Sequence, residues 1–327
     1  MKSKMQQFIE TANQYGKMRL PFFFLIDFEK QKPLIFLYSE MSEKNIQFDF
    51  NNKGKLVNPL EINKQFELNV FPVDFEKYQK AFELVQHEIQ MGNSYLLNLT
   101  QKTEVKINYH LEQIFQQSRA KYKLLFNDQF TCFSPECFIR IENNKIYSYP
   151  MKGTINADEN NAIEKLLNSE KEFTEHNTIV DLIRNDLALV SKYIQVTKYR
   201  YVEKVETHRG AIYQTSSEIC GELDENWQEN IGTMLDKLLP AGSISGAPKV
   251  KTVEIIQKAE QQERGYYTGV FGYFDGENVE SAVAIRYIEK ENDKYYFRSG
   301  GGITALSQLD DEYREILEKI YVPIPIV

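Results

Sequence analysis

Apolar residues near the start of the chain come in short unbroken runs. "PFFFLIDFE" (21–29) and "PLIFLYSE" (33–40) are too brief for helices and are separated by lysine and proline turns, so both read as strands. The first seventy residues are accordingly expected to be strands and turns. The period changes at Asp74. "DFEKYQKAFELVQHEIQMG" places Phe75, Tyr78, Phe82, Val85 and Ile89 at spacings of three and four, which predicts a helix capped by Asp74 and ended by Gly92. "NSYLLNLTQKTEVKI" follows as a strand and "LEQIFQQSRAKY" as a helix.

"QFTCFSPECFIRIENNKIYSYPMKGT" reads as two strands folded about Asn143–Asn144, and 162–190 as one long helix. Strands containing "YRYVEKVETHRG" and "IYQTSSEICGEL" come next, then a helix from Trp227 to Leu239. The small-residue loop "PAGSISGAPK" feeds another helix. The tail reads strand–turn–strand–turn–strand and closes on the helix "DDEYREILEKIYV". Strands in hairpins with helices interspersed predict an α+β protein with layered antiparallel sheets.

Composition narrows the partners. The chain has 327 residues, 42% hydrophobic and 26% charged, with a net charge of −8 that disfavours a nucleic-acid backbone. No run is long and apolar enough to span a bilayer, and the N-terminus lacks a secretory layout, so a cytoplasmic location is expected. Cys132, Cys137 and Cys220 follow no disulfide or metal spacing, and the four histidines form no paired motif. Any metal is expected on carboxylates.

Four features carry candidate chemistry. Lys152 sits between a proline-led strand end and Gly153, which on its own also reads as a surface turn. Glu172 with Glu175, and Glu312 with Glu315, are spaced three apart, so each pair shares a helix face. Either pair alone reads as ordinary solvated helix charge; facing each other, the two would converge like charges that Mg²⁺ would relieve. The loops "PAGSISGAPK", ending at Lys249, and "SGGGIT" suit an anion, or are simply tight turns. Arg286 lies in the otherwise apolar "VAIRYI", where an arginine pairs with a carboxylate of protein or ligand. The residues themselves indicate an enzyme for a small anion, without naming a reaction.

Taken in order, "SPECF", "PMKGT", "EHNTIVDLIRNDL", "PAGSISGAPKVKTVEII", "YYTGVFGYF", "AIRY" and "GGGITALSQLDDEYREILEK" resemble the chorismate-utilising enzymes from about Phe71 to Tyr321. That family comprises anthranilate synthase and aminodeoxychorismate synthase components I and the isochorismate and salicylate synthases. The resemblance implies one catalytic domain over 1–327, with 1–70 an abbreviated N-terminal region. It implies Mg²⁺ on Glu175 and Glu315, with Glu172 and Glu312 as the second pair at the metal. Lys249, Arg286, Tyr267, Gly301 and Gly302 match positions that grip the substrate's carboxylates, and Glu136 matches the general acid/base.

Lys152 stands where anthranilate and isochorismate synthases have alanine and many aminodeoxychorismate synthases have a nucleophilic lysine. Leu96 stands where isochorismate and salicylate synthases keep a water-activating lysine, and Gln214 where many members have histidine. These positions imply amination of chorismate to 4-amino-4-deoxychorismate for 4-aminobenzoate and folate, with ammonia from a separate glutamine amidotransferase subunit. Anthranilate formation, or chorismate binding without turnover, are the alternatives. Burial and a nearby cation are expected to lower the Lys152 pKa.

Overall fold

The computed structural model describes residues 2–51, 53–55, 64–207 and 210–324. Along the chain run α1 (Lys4–Lys17), β1 (Phe22–Ile26), β2 (Leu34–Leu37), β3 (Ile46–Phe50), β4 (Lys53–Lys55), β5 (Leu68–Phe71), α2 (Phe75–Gln90) and β6 (Leu97–Ile107). Next come α3 (Leu111–Gln117), β7 (Tyr122–Phe126), β8 (Phe130–Ser134), β9 (Cys137–Glu142), β10 (Lys145–Ser148), β11 (Met151–Asn156), α4 (Ala162–Asn168) and α5 (Glu170–Ala188). The remainder is β12 (Lys192–Thr207), β13 (Gly210–Glu222), α6 (Ile231–Leu238), α7 (Gly242–Ser245), α8 (Lys249–Glu260), β14 (Val270–Phe274), β15 (Val279–Val283), β16 (Tyr287–Glu291), β17 (Lys294–Ile303) and α9 (Leu309–Glu318).

The strands form two antiparallel sheets. The first runs β11-β13-β10-β9-β15-β14-β1-β2, with β12 on the other edge of β13; the second runs β4-β3-β7-β8-β16-β17-β6-β5. The sheets pack face to face through Phe23, Leu25, Phe271 and Ala282 of one and Phe48, Tyr122, Phe130 and Tyr287 of the other. Helices cover both outer faces: α1, α5 and α6 lie on the first sheet, and α2, α8 and α9 on the second. This is the layered α+β architecture the pattern predicts. It also explains the unbroken "FFFLI": Phe22 and Phe24 face the helices while Phe23 and Leu25 face the other sheet, so no position of β1 meets water. Among the described residues no helix is long and apolar enough to cross a membrane.

Four expectations need correcting. The N-terminal stretch begins with a helix, α1, rather than a strand. A reciprocal cap between Ser3 and Gln6 starts it, and Met5, Phe8 and Ala12 bury one face against Trp227 and Ile231. The long helix over 162–190 is broken at Ser169, whose hydroxyl caps α5 by accepting from the Glu172 N–H at 3.3 Å. The two strands about Asn143–Asn144 are four, although both asparagines do take the positive φ of a tight turn (54° and 56°). Arg286 lies between β15 and β16, not inside a strand.

A change of sheet accounts for the break between β8 and β9 and for the place of Arg286, whereas β10 and β11 stay in one sheet. The chain changes sheets between β8 and β9, at Pro135–Glu136, and again between β15 and β16, at Arg286. A strand that switches sheets must bend, and Arg286 takes a φ of 52° to do so.

Candidate active site

The two crossings lie side by side. Phe133 N–H donates to the Arg286 carbonyl at 3.1 Å, and Val283 N–H donates to the Glu136 carbonyl at 3.2 Å. They bring a carboxyl and a guanidinium together at the seam of the two sheets. The Ser243 hydroxyl, on α7, donates to Glu136 Oε1. Burial pushes the Glu136 carboxyl above its ordinary value, opposed by the Ser243 hydrogen bond and the Arg286 charge. Arg286 stacks on Tyr321 at 5.1 Å, and its buried Nε has no hydrogen-bond partner, the situation of a donor that awaits an acceptor.

Lys152 is aimed by a β-bulge. Met151 pairs with Ser216 and Thr154 with Gln214, so β11 holds one residue more than β13 between those points. Gly153 absorbs the kink at φ 89°. Thr215 pins the bulge by donating its hydroxyl to the Lys152 carbonyl. Behind it lies the fully buried His176, whose Nε2 meets Ser217 Oγ at 2.6 Å. Burial lowers the His176 pKa to about 4, which keeps the ring neutral.

The two glutamate pairs do converge here. Glu172 and Glu175 come from the first turns of α5, beside β11; Glu312 and Glu315 come from α9, against β17. Lys152 Nζ is 2.8 Å from Glu175 Oε2. A Cβ on Gly153 would stand 2.8 Å from Glu172 Oε2, and one on Gly301 would stand 3.0 Å from Glu312 Oε2 and 3.5 Å from Glu315 Oε1. A Cβ on Gly302 would meet Leu96 Cδ1 at 3.3 Å and Lys152 Nζ at 3.4 Å. The glycines are therefore glycines because carboxylates and a lysine lean on the strand. Burial acts to strip the Lys152 proton, but Glu175, then Glu315 and Glu172, outweigh it and hold the amine above the ordinary lysine range. That is the reverse of the shift expected from the sequence.

An all-oxygen set of four carboxylates suits a hard divalent cation in chemistry. In arrangement they surround two ammonium groups: among the described residues no three acidic, histidine or cysteine side chains gather round one point. The second ammonium belongs to Lys319, which the sequence reading left out. Its Nζ lies 2.5 Å from Glu315 Oε1 and donates to the Gly300 carbonyl at 2.8 Å. The signal was present: Lys319 follows Glu315 by four residues on the helix that carries the acidic pair.

Three further candidates stand apart from the glutamates. Lys249, the first residue of α8, directs its Nζ to Asp186 Oδ2 and to the Leu238 carbonyl, each at 2.8 Å. Tyr267 is buried with its ring 5.7 Å from that of Tyr287, and burial pushes its hydroxyl up to about 12. Gln214 lies beside the bulge, its Nε2 donating to Met151 Sδ at 3.1 Å. Leu96 bridges to Ala247 and lines the lysine's side of the site. The sequence also passed over Ser243 and His176, whose roles depend on strands distant along the chain.

Comparison with known proteins identifies a family for the chain. The sequence model of the chorismate binding enzymes matches residues 10–325. An uncharacterised PabA-like protein of Pasteurella multocida is 58% identical over 318 residues, covering 97% of this chain and 98% of that one. Aminodeoxychorismate synthase component 1 of Escherichia coli is 34% identical over 262 residues, 75% of this chain and 56% of the relative. Among solved structures, the menaquinone-specific isochorismate synthase of Escherichia coli superposes with a TM-score of 0.72 at 16% identity, covering 96% of this chain and 80% of that one. Anthranilate synthase component I of Streptococcus pneumoniae gives 0.66 at 27% identity, over 79% and 59%. The chain belongs to the chorismate binding enzyme family.

Proposed function

We propose that the protein aminates chorismate at C4, giving 4-amino-4-deoxychorismate, with Lys152 as a covalent nucleophile. The observation that carries this reading is the bulge in β11, which turns Lys152 toward the glutamate cluster and against the bare backbone of Gly302. Glu175 and Glu315 are the residues that would hold Mg²⁺, and the ion would supply positive charge for the ring carboxylate of chorismate. Arg286 and Lys319 add cationic donors for the substrate's carboxylates.

Lys152 first gives its ammonium proton to solvent; the neutral amine then attacks C2, both conjugated ring double bonds shift by one position, and the C4 hydroxyl leaves as water with the proton of Glu136. A raised carboxyl pKa suits Glu136 for that donation. Ammonia then adds at C4, both double bonds shift back, and Lys152 departs as the neutral amine. The new C4 ammonium returns one proton to Glu136, so the acid is regenerated. Apolar Leu96 offers no base to activate water on the lysine's side, which disfavours isochorismate formation. Ammonia is supplied by a separate glutamine amidotransferase subunit, and the product serves 4-aminobenzoate synthesis.

A chorismate-binding role without turnover is the second reading, and the resting Lys152–Glu175 ion pair favours it. Incubating the chain with chorismate, Mg²⁺ and ammonium at mildly alkaline pH, with product identification by chromatography and mass, separates the readings. Aminodeoxychorismate is expected. Anthranilate or isochorismate in its place overturns the assignment, and tight chorismate binding without product leaves the second reading.

A further inference from the structure

Two ammonium groups lie where the glutamate pairs meet. Lys152 Nζ contacts Glu175 at 2.8 Å, with the two side chains 28% and 16% exposed. Lys319 Nζ contacts Glu315 at 2.5 Å and is also anchored on the Gly300 carbonyl. These are the same two carboxylates that the proposed function gives to the metal. Glu172 and Glu312 stand close by, against Gly153 and Gly301. Like charges so confined repel, and a half-buried site screens them poorly. The ammonium groups are the counter-charge that lets the cluster form without metal.

We infer that Lys152 and the divalent cation are alternative occupants of Glu175: the ammonium is a built-in counter-ion, and metal entry releases Lys152 into the cleft. This rests on Glu175 and Glu315 being the metal ligands. A carboxylate oxygen that coordinates Mg²⁺ at about 2.0–2.1 Å cannot keep an ammonium in contact as well, because the two cations would then lie only a few ångströms apart. The two lysines differ in what holds them. Lys319 keeps the Gly300 carbonyl when Glu315 turns away. Among the described residues the Lys152 ammonium is in contact with the Glu175 carboxylate and has no backbone carbonyl to anchor it, while Glu315 and Glu172 act on it only through their charge from farther away. It is therefore Lys152 that leaves. The nucleophile stays tied to its carboxylate until the metal arrives, and metal binding must precede covalent attack.

The test is a calorimetric titration of Mg²⁺ into the full chain at neutral pH without chorismate, comparing the unchanged protein with Lys152→Met, Lys152→Arg and Glu175→Gln. Lys152→Met should bind Mg²⁺ about tenfold more tightly, because the competing charge is gone. Lys152→Arg, which keeps the charge, should bind no more tightly than the unchanged protein. Glu175→Gln should lose most of the affinity. If Lys152→Met gains nothing while Glu175→Gln weakens binding, the exchange is wrong and the ligand assignment survives. If Glu175→Gln binds as well as the unchanged chain, or no form takes up metal, the ligand assignment fails and the exchange with it. Brief acetylation of the unchanged chain, read by peptide mapping, tests the same point without a substitution. Lys152 should label faster with Mg²⁺ than without, and equal rates overturn the exchange.

Discussion

Lys152, Glu136 and Ser243 bear the chemistry at the scale of single residues. Replacing Lys152 with alanine should lower turnover on the order of a thousandfold or more while leaving chorismate binding in place, checked by steady-state kinetics beside a binding titration. Ser243→Ala removes the hydrogen bond that favours the Glu136 carboxylate, so its pKa should rise further. Since the first step needs Glu136 protonated, the alkaline limb of the kcat profile should move to higher pH. An unmoved limb would show that Glu136 is not the acid. The candidate residues were legible in the sequence because their neighbours are local: Lys152 beside Gly153, and each acidic pair within one helical turn. Lys319 met the same spacing rule, and as the last residue of the motif "GGGITALSQLDDEYREILEK" it could have been singled out. The direction of the Lys152 shift was not legible, because it depends on Glu175 and Glu315 arriving from two helices far apart in the chain.

At the scale of elements, the bulge in β11 and the two sheet crossings do the positioning. Gly153→Ala puts a Cβ at φ 89° and 2.8 Å from Glu172 Oε2. It should cost about 1–2 kcal/mol of stability and lower turnover beyond that cost, because the kink that aims Lys152 relaxes. Chemical denaturation and kinetics on the same sample check both halves. Periodicity found most helices and strands. It missed the crossings because apolar residues resume directly after each: Pro135–Glu136 and Arg286 interrupt "FTCFSPECFI" and "VAIRYI" only briefly, and what changes there is the partner strand. Helix α1 was missed despite its Ser3–Gln6 cap, because its apolar face is narrow and its partners, Trp227 and Ile231, lie more than two hundred residues away.

At the scale of the whole molecule, the second sheet is tied to its outer helix by a buried ion pair. Arg264 and Glu260 are 1% and 0% exposed at 2.6 Å. Glu260 also accepts from Thr100 N–H and hydroxyl, and Arg264 donates to the Asn98 carbonyl, both on β6. Arg264→Ala strands the Glu260 charge and should destabilise the fold by about 3–5 kcal/mol. Denaturant unfolding measures it, and a loss below about 1 kcal/mol would show that the pair is dispensable. This tie fixes the start of β6, and so Leu96, relative to α8. The layered α+β plan followed from the alternation of hairpins and helices; the placing of the site on the seam between the sheets did not, because seams are made by pairing rather than by sequence period.

The central claim is that Lys152 forms a bond to substrate. The measurement that tests it most directly is peptide mass mapping of the chain mixed with chorismate and Mg²⁺, ammonia omitted, and rapidly quenched. The account predicts that the peptide carrying Lys152 gains the mass of chorismate less one water, and that ammonium discharges it. An unmodified Lys152 peptide from protein that turns over chorismate once ammonium is supplied would contradict it.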